Sequence, residues 1–428
     1  MWDNGHVKYY LNGNLGDDQL DSGETAAVNT QPLLIGLHTD GLGFHGSIDE
    51  VRISKFGMKA AGIAASYLIQ TTCPAANPND SVADDAALQA CLDLGGEIRL
   101  VRGSPGYTIA SGLVIRTDHA VITSTSPAAK ALFVAAAGLN APMFNGAKRD
   151  HLSLSYLEIN GNRPARNKTI CNTPPHLGGF NFILGNTPGP DGGTSTNFII
   201  NDSRSTKALC GSSMWVHGSN FEIANNLLDD NGHGWEAPDA GEPWSDGLSL
   251  GQCVSGNIHN NTIINATDIA LVDGGGVGCQ IVNNTIENIS YNGVTRHAFA
   301  GIALHEFCYT TTCGDHTGST VSGNTITASP GMESFGIICG HHPWSSAVSG
   351  TKGATIGSNI VSGAIVNLAV DGVTGFTINA NTLSSPGGTP KPCSGLPPTN
   401  YTVNSAHTWS STLNMTGWIE RAYDNCIP

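Results

Sequence analysis

The chain has 428 residues, enough for one long domain or two of ordinary size. Only 12% of residues are charged and the net charge is -15. That balance argues against nucleic acid as a partner, because phosphates demand Lys and Arg, and no apolar run is long enough to cross a bilayer.

Glycine numbers 54, and a low charge with abundant Gly, Asn, Ser and Thr suits many short strands joined by tight turns. Eleven cysteines in so weakly charged a chain point to an oxidising compartment, so secretion is expected. Met1-Trp2-Asp3 is not the start of a signal peptide, which places any export signal upstream. Four cysteine pairings suggest themselves. Cys73 and Cys91 flank a predicted helix, Cys253 and Cys279 fall in successive repeats, Cys308 and Cys313 bracket a loop, and Cys393 and Cys426 can tie down the tail. An odd count leaves at least one cysteine without an intrachain partner.

In chain order, Val7 to Leu11 reads as a strand entering an Asn12-Gly13 turn. Phe44 to Ile53 reads as a second strand, and Ala60 to Tyr67 as a short alanine-rich helix. Together these resemble the C-terminal half of a laminin-G or concanavalin-like jelly roll. The resemblance implies a partial jelly-roll segment over residues 1–70, too short for a complete sandwich.

A second domain is expected over residues 71–428. Asp84 and Asp85 open a helix that runs through Ala86 to Leu92, and Gly95-Gly96 stop it. This segment resembles the N-terminal cap of the pectin-lyase-like β-helix superfamily. Six later segments share one pattern, an apolar residue, two others, an Asn, one further residue and a second apolar residue. They centre on Asn226, Asn261, Asn284, Asn324, Asn359 and Asn381. The two shortest spacings, 23 and 22 residues, define a bare coil, and the longer ones carry insertions. Stacked coils bury equivalent apolar side chains in one core, and an Asn at the same corner of each can bond along the stack. The expected fold is all-β: a single-stranded right-handed parallel β-helix with an N-terminal cap helix, preceded by the jelly-roll segment.

Insertions at 229–245, 287–299, 307–318 and 341–353 are expected to wall a groove. They carry Trp235, Trp244, Tyr291, Arg296, His297, His341 and Trp344. Such aromatic and polar groups suit a sugar chain. In the strand after each Asn corner, Asp246-Gly247-Leu248 is expected over Thr267-Asp268-Ile269, and that over Ala300-Gly301-Ile302. Asp246 and Asp268 then lie at the strand starts, while Asp273, His305, Glu306 and His341-His342 follow the strand ends. Adjacent parallel strands are about 4.8 Å apart, so such acids fall within the range of paired glycosidase carboxylates. Asp246-Gly247 also reads as a turn pair.

Trp244-Ser245-Asp246-Gly247 and Ala266-Thr267-Asp268 are similar to two motifs of the polygalacturonase-type glycoside hydrolases. The resemblance implies catalytic roles for Asp246 and Asp268. The Arg-Ile-Lys element of those enzymes is missing, which departs from a polygalacturonate substrate. The expectation is a secreted enzyme that hydrolyses a polysaccharide with paired carboxylates, without a required cofactor or a metal centre. A polysaccharide lyase is the alternative, with Arg296, His297 or His305 as base or clamp and Ca²⁺ as an optional partner. A non-catalytic adhesin or stalk is the third reading. The partner in every case is a polysaccharide, with neither nucleic acid nor membrane.

Overall fold

A computed structural model describes residues 70–172, 176–185, 194–232, 243–289, 297–305, 314–340, 351–371 and 373–385, together with strands within residues 2–20 and 408–409. The chain divides into two compact units, Met1–Ile69 and Gln70–Pro428. In the first, strands Trp2–Asp3, His6–Leu11 and Asn14–Leu20 form an antiparallel sheet. Leu11 pairs with Asn14, and the Asn12-Gly13 pair expected to turn between them lies outside the described residues. The strand and helix expected at Phe44–Ile53 and Ala60–Tyr67 lie outside the described residues.

The second unit is a right-handed parallel β-helix. Three parallel sheets, of 12, 10 and 10 strands among the described residues, run its length. Two are narrow, with strands mostly of three or four residues, and meet at the Asn corner. Ile223, Ile258, Ile281, Val321, Ile356 and Ile378 stack on one. Leu228, Ile263, Ile286, Ile326, Val361 and Leu383 stack on the other. The third sheet is wider. Its later strands are Gly211–Ser219, Ser245–Val254, Ile269–Asp273, Ala298–Leu304, Glu333–Gly340 and Val366–Asp371. Leu248, Leu271, Ile302, Ile337 and Leu368 stack on its inner side, and all these residues join one continuous core. Each fully buried Leu or Ile contributes about 2 kcal/mol from burial.

The corner between the narrow sheets carries the asparagine ladder. Asn226 Nδ2 donates to Asn261 Oδ1 at 3.0 Å, and the same bond joins Asn261 to Asn284, Asn284 to Asn324, Asn324 to Asn359 and Asn359 to Asn381. The backbone N–H of each Asn from 226 to 359 also donates to the next Oδ1. All six side chains are buried. The residue before each Asn is left-handed: Asn225, Asn260, Asn283, Gly323, Ser358 and Ala380 have φ between 50° and 66°. Asn and Gly tolerate that conformation best, which accounts for three Asn-Asn pairs and one Gly-Asn pair. One coil upstream the corner is held by Ser203, whose N–H bonds Asn226 Oδ1 and whose hydroxyl accepts from Leu157 N–H. The stack therefore extends beyond the six Asn-marked segments.

The described α-helix, Asp85–Leu94, buries Leu88, Cys91 and Leu92 on the end of the core. Its acids do more than favour the helix terminus. Asp84 accepts from the N–H groups of Asn77 and Thr108, and Asp85 from those of Ala110 and Ser111. They fasten the helix to the first coil. Gly95 ends it at φ 70°. Disulfides join Cys73 to Cys91 and Cys253 to Cys279, as expected, and a third joins Cys171 to Cys210. Cys339 is buried and unpaired. Cys308, Cys313, Cys393 and Cys426 lie outside the described residues.

Replacing Asn261 with Ala removes three side-chain bonds within the ladder and one to the Ile223 carbonyl. The expected cost is about 2–4 kcal/mol, read as a lower melting temperature with the disulfides intact.

Candidate functional site

The wide sheet departs from simple alternation near its strand starts. A Cβ on Gly247, Gly301 or Gly336 would meet Ile263, Ile326 or Val361 at 2.7, 2.8 or 2.1 Å, so these positions face inward. Leu248, Ile302 and Ile337, next in sequence, also face the core. Two successive residues thus turn in, and the flanking residues three apart share the outer face. This is why Asp246 and Ser249 meet. Ser249 Oγ donates to Asp246 Oδ2 at 2.6 Å, and the Ile269 N–H donates to Asp246 Oδ1 at 3.2 Å. On the preceding strand Ser212 pairs with Asp246, and its hydroxyl lies 2.5 Å from that of Ser249. Asp246-Gly247 is therefore inside a strand, not a turn.

Burial pushes the Asp246 carboxyl up to about 6, against the opposing pull of the Ser249 hydroxyl, the Ile269 N–H and the Ser212 hydroxyl. Such a group exchanges its proton near neutral pH, as a general acid must.

Asp268 stands on the neighbouring coil, partly exposed, one residue before the Ile269 N–H that binds Asp246. The two acids are one position out of register, as expected, but the alignment behind that expectation needs correction. Leu248 pairs with Leu271, and Leu271 with Ile302, so the 267–273 strand is displaced by two residues from the sequence-based stacking. Asp273 is the reason. It pairs with Leu250 and Leu304, at a position where neighbouring coils carry apolar residues, and a hydrophobic match slides past it.

Asp273 is consequently an interior residue. It is fully buried, its Oδ2 lies 3.1 Å from His316 Nδ1, and its Oδ1 accepts from Gly275 N–H. A polymer lying along the outer face does not reach it. His297 and His305 are both buried and stand at opposite ends of the Ala298–Leu304 strand, about 26 Å apart along an extended chain. They do not act on one point. Trp235, Tyr291, Arg296, Glu306, His341, His342 and Trp344 lie outside the described residues. Among the described residues no group of three His, Cys, Asp or Glu side chains can hold a metal ion.

Ser212, Ser249 and His217 belong to the same outer face and were not singled out from sequence. His217 pairs with Gln252, and burial pushes its imidazole down, against the opposing effect of its side-chain hydrogen bond to Gln252. Ser212 and His217 sit on a coil upstream of the first Asn-marked corner, where the repeat gave no guide. Ser249 had a signal: it lies between Leu248 and Leu250, so alternation turns it outward.

Beside this cluster lies a cavity of about 380 Å³, lined by Lys168, Thr169, Cys171, Asn172, His176, Cys210, Pro243 and Trp244. Trp244 is 40% exposed, and the His176 ring stands edge-on to it at 6.1 Å. The Trp244 carbonyl accepts from Gly211 N–H at 3.1 Å, which fixes it next to the Ser212–Asp246 pair.

No known family's sequence profile matches the chain, and no curated protein matches it. Solved structures do. The A-module of a mannuronan C-5 epimerase from Azotobacter vinelandii superposes with a TM-score of 0.50 at 15% identity, covering 72% of this chain and 76% of that one. An endo-xylogalacturonan hydrolase from Aspergillus tubingensis gives 0.46 at 14% identity, covering 80% and 99%. The tailspike protein of Escherichia coli bacteriophage HK620, solved with a pentasaccharide, gives 0.45 at 14%, covering 74% and 62%. The likeness shows the fold, a right-handed parallel β-helix.

Asp273→Asn separates an interior role from a catalytic one. It is expected to cost about 3 kcal/mol of stability, because it disturbs a buried hydrogen-bonded pair, and to leave kcat unchanged, which loss of a catalytic carboxylate would not. Thermal melting and steady-state kinetics on the same sample check both halves.

Proposed function

We propose that the protein is a secreted glycoside hydrolase that cuts a polysaccharide lying along the outer face of the wide sheet. Asp246 is the general acid and Asp268 the second carboxylate. The observation that carries this reading is the Asp246 carboxyl, raised to about 6 on an outer face, with two hydroxyls and an amide arranged about it. Three parallel sheets and three disulfides support a polymer-handling protein outside the cell.

In the proposed step Asp246 gives its proton to the departing glycosidic oxygen, and Asp268 activates water or attacks the sugar carbon. The Ser249 hydroxyl and the Ile269 N–H then hold the negative carboxylate that remains. The partial burial that raises the pKa keeps the acid charged with its proton in mildly acidic conditions.

A polysaccharide panel read by reducing ends and by ultraviolet absorbance tests the reaction class. New reducing ends without an ultraviolet signal are expected. An unsaturated product would make the protein a lyase, and no cleavage of any polymer would leave a binding protein. Asp246→Asn is expected to lower kcat by about 10²–10⁴-fold on the polymer. It should lose far less on an aryl glycoside whose leaving group needs no proton, whereas Asp268→Asn loses activity on both.

The pH profile gives a signed check. Because the acid form of Asp246 is required, kcat/KM falls as pH rises through about 6. Ser249→Ala removes a hydroxyl that stabilises the carboxylate, so the falling limb shifts to higher pH. A limb that stays in place excludes Asp246 as its origin.

A further inference from the structure

The cavity at Trp244 is held by more structure than a surface loop needs. Its wall draws on residues 163–172 and 176–179, which carry three short 3₁₀ turns. The buried guanidinium of Arg166 donates to the carbonyls of Leu139, Gly161 and Gly178, and Arg163 bonds Asp230. The Cys171–Cys210 disulfide ties the segment to the residue before Gly211, at the start of the wide-sheet strand that carries Ser212. Gly179 packs so closely on Cys210 that a Cβ would lie 2.3 Å from its sulfur.

The lining matches one kind of ligand. An exposed indole offers a flat apolar face, while Asn172, Thr169, Lys168 and His176 offer polar groups around it. A pyranose ring has the same two characters, an apolar C–H face and a rim of hydroxyls. A cavity of about 380 Å³ lies within the roughly 300–1,000 Å³ of small-molecule pockets.

We propose that this cavity is a saccharide subsite, seating one pyranose unit of the polymer on the Trp244 indole next to the bond cleaved at Asp246. Asn172 and Thr169 bond its hydroxyls. The assignment rests on the hydrolase reading for what happens at Asp246, but the binding itself does not need turnover.

The test uses neutral and uronic-acid hexasaccharides, with binding measured by calorimetry on Asp246→Asn, so that cleavage cannot interfere. Adding Trp244→Ala or Asn172→Ala is expected to weaken binding of the preferred hexasaccharide roughly five- to tenfold. Trp244→Phe should keep most of it. In the otherwise native enzyme, Trp244→Ala should raise KM and shift the position of cleavage along the hexasaccharide. Equal affinity with and without the Trp244 indole, at an unchanged melting temperature, overturns the subsite whether or not the enzyme turns over. Failure of every hexasaccharide to bind overturns it as well. Trp244-dependent binding in a protein that cleaves nothing would keep the subsite and defeat the hydrolase reading.

Discussion

Register between coils is the constraint on which this molecule depends. A parallel coil has no local partner for its apolar face or for its strand edges, so everything is decided by how it meets its neighbours. The asparagine ladder enforces that meeting. Asn261, like the other inner members of the ladder, bonds the next Asn and a carbonyl of the preceding coil, so a slip of one residue would break bonds on both sides and turn the core residues outward. Side chains as distant in sequence as Ser212, Asp246 and Ile269 become neighbours only because the stack is held in phase.

The same constraint explains why the outer face can carry chemistry. Where the wide strands turn two successive residues inward, the outer residues on either side are brought within hydrogen-bond reach. At most coils those outer positions are apolar: Ile269 and Val272, Ala300 and Ala303, Phe335 and Ile338 form a separate cluster on that face. At one coil they are Asp246 and Ser249. The site is a local replacement on a repeated scaffold. The raised pKa of its carboxyl follows from burial on that face.

Much of this was legible in the sequence, and the limits have physical causes. The Ile-x-x-Asn rhythm revealed the coil, its length and the ladder, because side chains that stack must resemble one another. The cap helix and two disulfides were visible for the same local reasons. The upstream coils were not, since Ser203 and Leu157 stand there where later coils carry Asn, and of the two only Ser203 bonds through its side chain. The stacking around Asp273 was misjudged because a buried carboxyl that contacts His316 fills a position that hydrophobicity reserves for Leu. Trp244 was singled out, yet the cavity beside it was hidden. That cavity depends on the Cys171–Cys210 bridge and on the buried Arg166, contacts between segments that no spacing rule connects.

The uneven distances between ladder residues, from 22 to 40, have an evolutionary meaning. The same ladder bonds form across every one of these spacings, so the corner does not register whether a coil is bare or burdened. Selection can lengthen, shorten or exchange one loop without renegotiating the scaffold. Change in the inserted lengths is thereby uncoupled from the integrity of the stack.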